Sequence, residues 1–393
     1  MATVKVELNN VSGKIKKTVK KKLRIVALLM CTVLLGSFIS CAGFHKHDFS
    51  EKVTTAEYFA KDATQTTATE FYYRCKKCGV KSKNTFEYGK KDSERAAVGS
   101  NAKSALDGKK ILIAGCSYNY YGRIVVPARN DIKDEASRVN DTGYFYELCK
   151  QNGAEVSVTN WCFGNHGLDD FFGTSCAAGE CGNGFNHLNE LKDRDYDYVS
   201  LMDIGRPNKP SLEEYMEELK GYMKLFTDVN PDCKFIYSIP CGAYWYKHTD
   251  RTNFKDIYFE TVYAKEIAKL DNVIVMDWGR MIYDLIKGDA SVPGSSFAYN
   301  ENSLIVADGY HPNLLSGYIN TLMTYCVITG ETAVGQPINL EGMLAEVTMS
   351  NFIKNYYRNE TTNFAEIMGS ESEMEGIQRL INRYIDMNTY LYY

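Results

Sequence analysis

From residue 110 onward the chain alternates short apolar runs with amphipathic ones, and this rhythm limits the fold more than any other feature. Apolar strands are expected at 110–115 (KILIAG), 154–160 (AEVSVTN), 196–203 (YDYVSLMD), 233–239 (CKFIYSI) and 272–277 (NVIVMD). Helical spacing occupies about 142–152, 212–226 and 257–269 between them, then 278–287 and 313–329. Pro210 and Ser211 with Glu214 make a capping box at the start of the 212–226 helix. Strands that are apolar on both faces and separated by helices pair in parallel, with helices covering both sides. The expectation is a three-layer α/β/α domain on a five-stranded parallel sheet. Ligands of such sheets bind beyond the carboxyl ends of the strands, where the strand order reverses.

Two short motifs put reactive groups where that rule expects them. ILIAGCSYNYYG (111–122) places the Ser117 hydroxyl just past the first strand. Almost two hundred residues later, DGYHP places Asp308 three residues before His311. A serine hydroxyl becomes a useful nucleophile when a base removes its proton, and a carboxylate that fixes the imidazole tautomer makes that base effective. Ser117, His311 and Asp308 are therefore read as nucleophile, base and orienting group. Each motif alone has an ordinary explanation, a turn serine or a local Asx turn. Order and strand context favour the chemical reading.

The sequence of these pieces resembles the SGNH hydrolases, or GDSL-like esterases, over about residues 109–334. In that family a Gly-x-Ser block follows the first strand and an Asp-x-x-His block closes the domain, matched here by Gly115 to Ser117 and by Asp308 to His311. GYHPN running into LLSGYINTLMTYCVITGE looks like the last block and its closing helix. The resemblance implies a flavodoxin-like sheet, a serine esterase and no cofactor. It also implies an oxyanion hole from the Ser117 amide, a glycine amide of the second block and an asparagine of the third. For the second block NWCFGNHG offers Gly164, with Asn165 at the spacing from Asn160 where the glycine often falls. For the third, MDIGRPN has Arg206 in register and Asn208 two residues on. Cys116 stands where an aspartate is common. The family's range suggests O-acetyl groups on glycans as substrate, with an acyltransferase on the same fold as the alternative. A non-catalytic glycan-binding or surface scaffold protein is the alternative from another class.

The N-terminus bears on location. Lys14, Lys16, Lys17, Lys20, Lys21, Lys22 and Arg24 precede an uncharged stretch from Ile25 to Phe44, about the length a membrane-spanning helix needs. A basic flank keeps its own side cytoplasmic. Residues 1–24 are expected to be cytoplasmic and 25–44 a signal anchor or a lipoprotein signal with Cys41 as the lipidated residue, which puts the rest outside the membrane. The net charge of −4 offers nothing to nucleic acid. The expected partners are a small ester or acylated glycan and the membrane.

Residues 45–90 are read as a small Cys/His module. His45 and His47, with Cys75 and Cys78, are zinc-ligand types, but an extracytoplasmic compartment favours a Cys75–Cys78 disulfide or plain thiols, so no metal is expected. Cys176 and Cys181 could close a small loop. Residues 91–108 are small and polar and read as a linker, and 335–393 as a helical extension. There Ser372 and Glu375 suggest a capping box, and Met374, Ile377, Ile381, Tyr384 and Ile385 form one apolar face.

Overall fold

The computed structural model describes residues 46–125, 143–163, 168, 191, 193–203, 210–244, 260–306, 308–338 and 370–392. The chain divides into two compact units, Met1–Val53 with Tyr72–Thr85, and Thr54–Phe71 with Phe86–Tyr393. The expected membrane segment at 25–44 and the Cys176–Cys181 loop lie outside the described residues. Among those described, no helix is long and apolar enough to cross a membrane.

Three strands come first: β1 (Phe59–Lys61), β2 (Thr69–Arg74) and β3 (Lys81–Tyr88), in the order β1-β2-β3. β1 runs antiparallel to β2, with Phe59 opposite Phe71. The second sheet has five parallel strands. They are β4 (Lys110–Gly115), β5 (Ser157–Cys162), β6 (Tyr198–Leu201), β7 (Lys234–Ser238) and β8 (Val273–Met276), ordered β5-β4-β6-β7-β8. This is the doubly wound 2-1-3-4-5 order, whose direction reverses between the first and third strands. Here that point lies between β4 and β6.

The helices are α1 (Ala102–Leu106), α2 (Ser117–Tyr121), α3 (Tyr144–Gln151), α4 (Leu212–Thr227), α5 (Glu260–Ile267), α6 (Trp278–Lys287), α7 (Glu301–Leu304), α8 (Leu314–Thr329) and α9 (Glu371–Tyr392). Alternation along the strands sends Leu112, Ala114, Val199, Leu201, Phe235 and Tyr237 to one face. They bury there against Tyr215, Leu219, Tyr222 and Phe226 of α4 and Ala264 and Ile267 of α5. The opposite layer is built on α8, a helix buried nearly all round, which packs against α3, α6 and α9. A helix buried on every side needs apolar or internally bonded residues throughout. Thr324 and Thr329 comply by donating to the carbonyls one turn back, Asn320 and Tyr325. The capping box of α4 forms as read, Ser211 Oγ accepting from Glu214 N–H and Glu214 Oε2 from Ser211 N–H.

Three boundaries differ from the sequence reading. Residues 91–108 are no loose linker. Glu331 is buried and accepts the Gly99 and Asn101 N–H groups at 2.8 and 2.7 Å and the Tyr325 hydroxyl at 2.9 Å. Small polar composition looked like a spacer, but its backbone amides were the donors a buried carboxylate needs. Residues 45–90 likewise do not form one module, because Thr54–Phe71 belongs with the large unit. Its Asp62 accepts from Arg383 of α9, whose guanidinium also lies over the Phe59 ring. Lastly, α9 is an integral layer: Tyr384 donates to Asp284 of α6 at 2.7 Å, and Arg95 pairs with Asp386 at 2.6 Å. The cap at its start is Ser370, which accepts from Glu373 N–H at 3.4 Å, two residues earlier than the Ser372 box. Met374, Ile377, Ile381 and Tyr384 are fully buried as expected, while Ile385 is half-buried.

Candidate active site

β4 ends at Gly115, whose φ of 139° and lack of a side chain let the chain turn against β6. A Cβ there would lie 2.4 Å from the Met202 carbonyl oxygen, a contact no side chain tolerates. Cys116 follows as the N-cap of α2, and Ser117 is its first residue. The hydroxyl thus emerges beyond the carboxyl end of β4, at the reversal point of the sheet.

The second half of the site precedes α8. Asp308 bends the chain on itself, its Oδ1 accepting the Tyr310 and His311 N–H groups, each at 3.0 Å. Its Oδ2 accepts from His311 Nδ1 at 2.7 Å. Since that carboxylate oxygen accepts the hydrogen bond of Nδ1–H, Nε2 is the basic nitrogen, and it accepts from Ser117 Oγ at 2.6 Å. The structure therefore brings the three sequence-predicted residues into one hydrogen-bonded line.

Packing sets the character of the base. The Tyr121 ring stacks on the imidazole with centroids 3.8 Å apart and planes 5° apart, and Tyr310 lies at 4.3 Å. His311 is 6% exposed, whereas Ser117 keeps partial access to solvent. Burial pushes the imidazole below the ordinary histidine value of 6.5, against the opposing pull of the Asp308 hydrogen bond and charge. A base neutral at physiological pH, held in one tautomer and bonded to an accessible hydroxyl, can draw off that hydroxyl's proton.

Two glycines fix how closely the halves meet. A Cβ on Gly317 of α8 would fall 1.5 Å from the Gly122 carbonyl oxygen at the end of α2. The helix that follows His311 thus touches the helix that begins with Ser117, backbone against backbone.

Gly164, Asn165, Arg206 and Asn208 lie outside the described residues, as does His45. One described residue that the sequence reading overlooked lies close to β6. Asp203, just past β6, is buried and accepts the Leu168 N–H at 2.7 Å and the Tyr215 hydroxyl at 2.9 Å. Tyr121 was overlooked too. Its signal was position, since a residue four after a helix's first residue returns to the same face. In the other unit, His47, Cys75 and Cys78 bring their ligand atoms within 4.8 Å of one another. No disulfide joins two of the described cysteines.

No family model matches the chain, and no curated protein does. Solved structures do. An acetylxylan esterase from Geobacillus stearothermophilus aligns at 15% identity over 57% of this chain and 96% of its own, with a TM-score of 0.38. A carbohydrate esterase family 2 enzyme from Corynascus thermopiles (Myceliophthora fergusii) aligns at 15% identity over 57% and 66%, TM-score 0.34. A candidate SGNH hydrolase from Slackia heliotrinireducens aligns at 14% identity over 55% and 96%, TM-score 0.32. At these scores the likeness adds nothing to the architecture, which rests on strand order and register.

Proposed function

We propose that the large unit is a serine ester hydrolase of the SGNH type. The observation that carries this reading is the continuous hydrogen-bonded line from Asp308 through His311 to Ser117, at the reversal point of a doubly wound sheet.

In the proposed reaction Ser117 Oγ attacks the ester carbonyl while His311 Nε2 takes its proton. The oxyanion is held by the Ser117 amide, which has no intrahelical acceptor at a helix start, with Gly164 and Asn208 or Asn165 as further donors. The tetrahedral adduct collapses, the alkoxide leaving group takes the proton from Nε2, and an acyl-Ser117 ester remains. Water then attacks that ester, giving its proton to Nε2. Collapse of the second adduct returns that proton to Ser117 and releases the carboxylic acid. Asp308 holds the Nδ1 proton throughout and compensates the imidazolium.

The substrate proposed is an O-acetylated glycan, and the site proposed is extracytoplasmic, tethered through residues 25–44. The substrate follows from the range of the family that the sequence resembles, and the location from the basic flank and uncharged stretch of the N-terminus. The reading predicts that the chain hydrolyses p-nitrophenyl acetate with an acyl-enzyme intermediate, and that Ser117→Ala abolishes turnover. Equal rates in the two proteins would refute it.

A further inference from the structure

The small unit comprises Met1–Val53 with Tyr72–Thr85, and residues 46–53 and 72–85 of it are described. Among its described residues only Cys75 and Ser82 are buried, while Phe49 and Val80 stand exposed. Described segments that bury so little apolar surface are commonly held by a covalent or metal staple.

The staple's parts are already assembled. In Cys75-Lys76-Lys77-Cys78-Gly79 the chain reverses tightly. The Gly79 N–H donates to the Cys75 carbonyl at 2.8 Å, with Gly79 at a φ of 75° that glycine adopts freely, and the Cys75 N–H donates to the Val80 carbonyl at 2.9 Å. The chain ahead of it runs alongside: Arg74 N–H donates to Glu51 O at 2.9 Å and Lys76 N–H to Asp48 O at 3.0 Å. These bonds carry His47 over the turn, leaving its Nδ1 3.5 Å from Cys78 Sγ. A tetrahedral zinc ion, about 2.3 Å from sulfur and about 2.1 Å from nitrogen, sets those two ligand atoms about 3.6 Å apart. The observed spacing fits. A disulfide would use both sulfurs and leave the placement of His47 unexplained.

We infer that Cys75, Cys78 and His47 bind a zinc ion, as three of its four ligands, and that this ion holds the small unit together. Two thiolates and an imidazole select a borderline-soft cation of this kind over calcium or magnesium, which take oxygen ligands. The site is independent of the ester hydrolase reading, since it shares no residue with it.

The test uses the full chain purified in detergent, with free thiols alkylated for mass spectrometry before any reductant is added. Metal analysis is expected to find one equivalent of zinc. Cobalt added to the chelator-treated protein is expected to give the visible bands of a tetrahedral thiolate site, displaced by zinc. Cys75→Ser, Cys78→Ser and His47→Ala should each lose the bands or shift them strongly, while keeping a cooperative thermal transition. Chelation should also make the small unit cut faster in limited proteolysis, with protection restored by zinc. Substoichiometric zinc with no cobalt bands, bands unchanged in both cysteine variants, or a Cys75–Cys78 disulfide found by mass spectrometry would each overturn the inference.

Discussion

The ring of Tyr121 lies flat on the imidazole of His311, with centroids 3.8 Å apart. Ser117 and Tyr121 open and close the same short helix, so one element delivers both the hydroxyl and the cover over its base. That cover helps keep water off the imidazole and favours its neutral form. Tyr121→Ala should therefore raise the His311 pKa and lower kcat/KM by on the order of tenfold, while Tyr121→Phe stays near wild type. Kinetics of the two variants across pH check this.

The pH dependence follows from the same burial. His311 works as a base only when neutral, and its pKa is lowered from 6.5 by desolvation, with Asp308 pulling the other way. A lowered value keeps the imidazole neutral to more acidic pH. Activity should rise with pH and reach half its plateau below pH 6.5. A kcat/KM profile of the free enzyme reads this midpoint directly, and a midpoint well above the ordinary value would contradict it.

Asp308 should matter more than its single negative charge suggests. It fixes the tautomer through Oδ2 and folds the loop through two backbone bonds to Oδ1. Asp308→Asn is expected to lower kcat by about 10³-fold or more, because the amide can donate to Nδ1 and turn the proton to Nε2. The folded state should persist, which circular dichroism would verify.

The contact of Gly317 with Gly122 sets the spacing of the two halves of the site. Gly317→Ala puts a methyl group against the Gly122 carbonyl oxygen. It should destabilise the fold by about 1–3 kcal/mol, as overpacking of a tight contact does, and reduce kcat because Ser117 moves from His311. Denaturant unfolding and steady-state kinetics measure the two effects separately.

Glu331 joins residues that look unrelated in the sequence. Removing its carboxylate strands the half-buried Gly99 and Asn101 amides and the buried Tyr325 hydroxyl, so Glu331→Ala should cost about 3 kcal/mol or more of stability. Thermal unfolding should show it, and so should a truncation that begins after Gly99.

Much of the sheet was legible because its signals are local. Apolar runs of strand length between amphipathic helices placed all five parallel strands within a few residues, and Ser211 with Glu214 marked a helix start. The line through Ser117, His311 and Asp308 was legible because two short motifs carry all of its reactive atoms. Features built from long-range pairs were not. The bonds from Glu331 to Gly99 and Asn101 span more than two hundred residues, and no composition rule distinguishes those amides from spacer backbone. Likewise, α9 shows an apolar face in its sequence, but that Tyr384 finds Asp284 and Arg383 finds Asp62 depends on the finished packing. Tyr121 was hidden among many tyrosines whose simplest role is core filling.

The central claim is that Ser117 is a nucleophile activated by His311. Intact-mass analysis after treatment with a fluorophosphonate probe tests it most directly. The account predicts a single adduct mapped to Ser117, absent from Ser117→Ala and formed far more slowly in His311→Ala. An unlabelled wild-type protein, or labelling that survives Ser117→Ala, would contradict it.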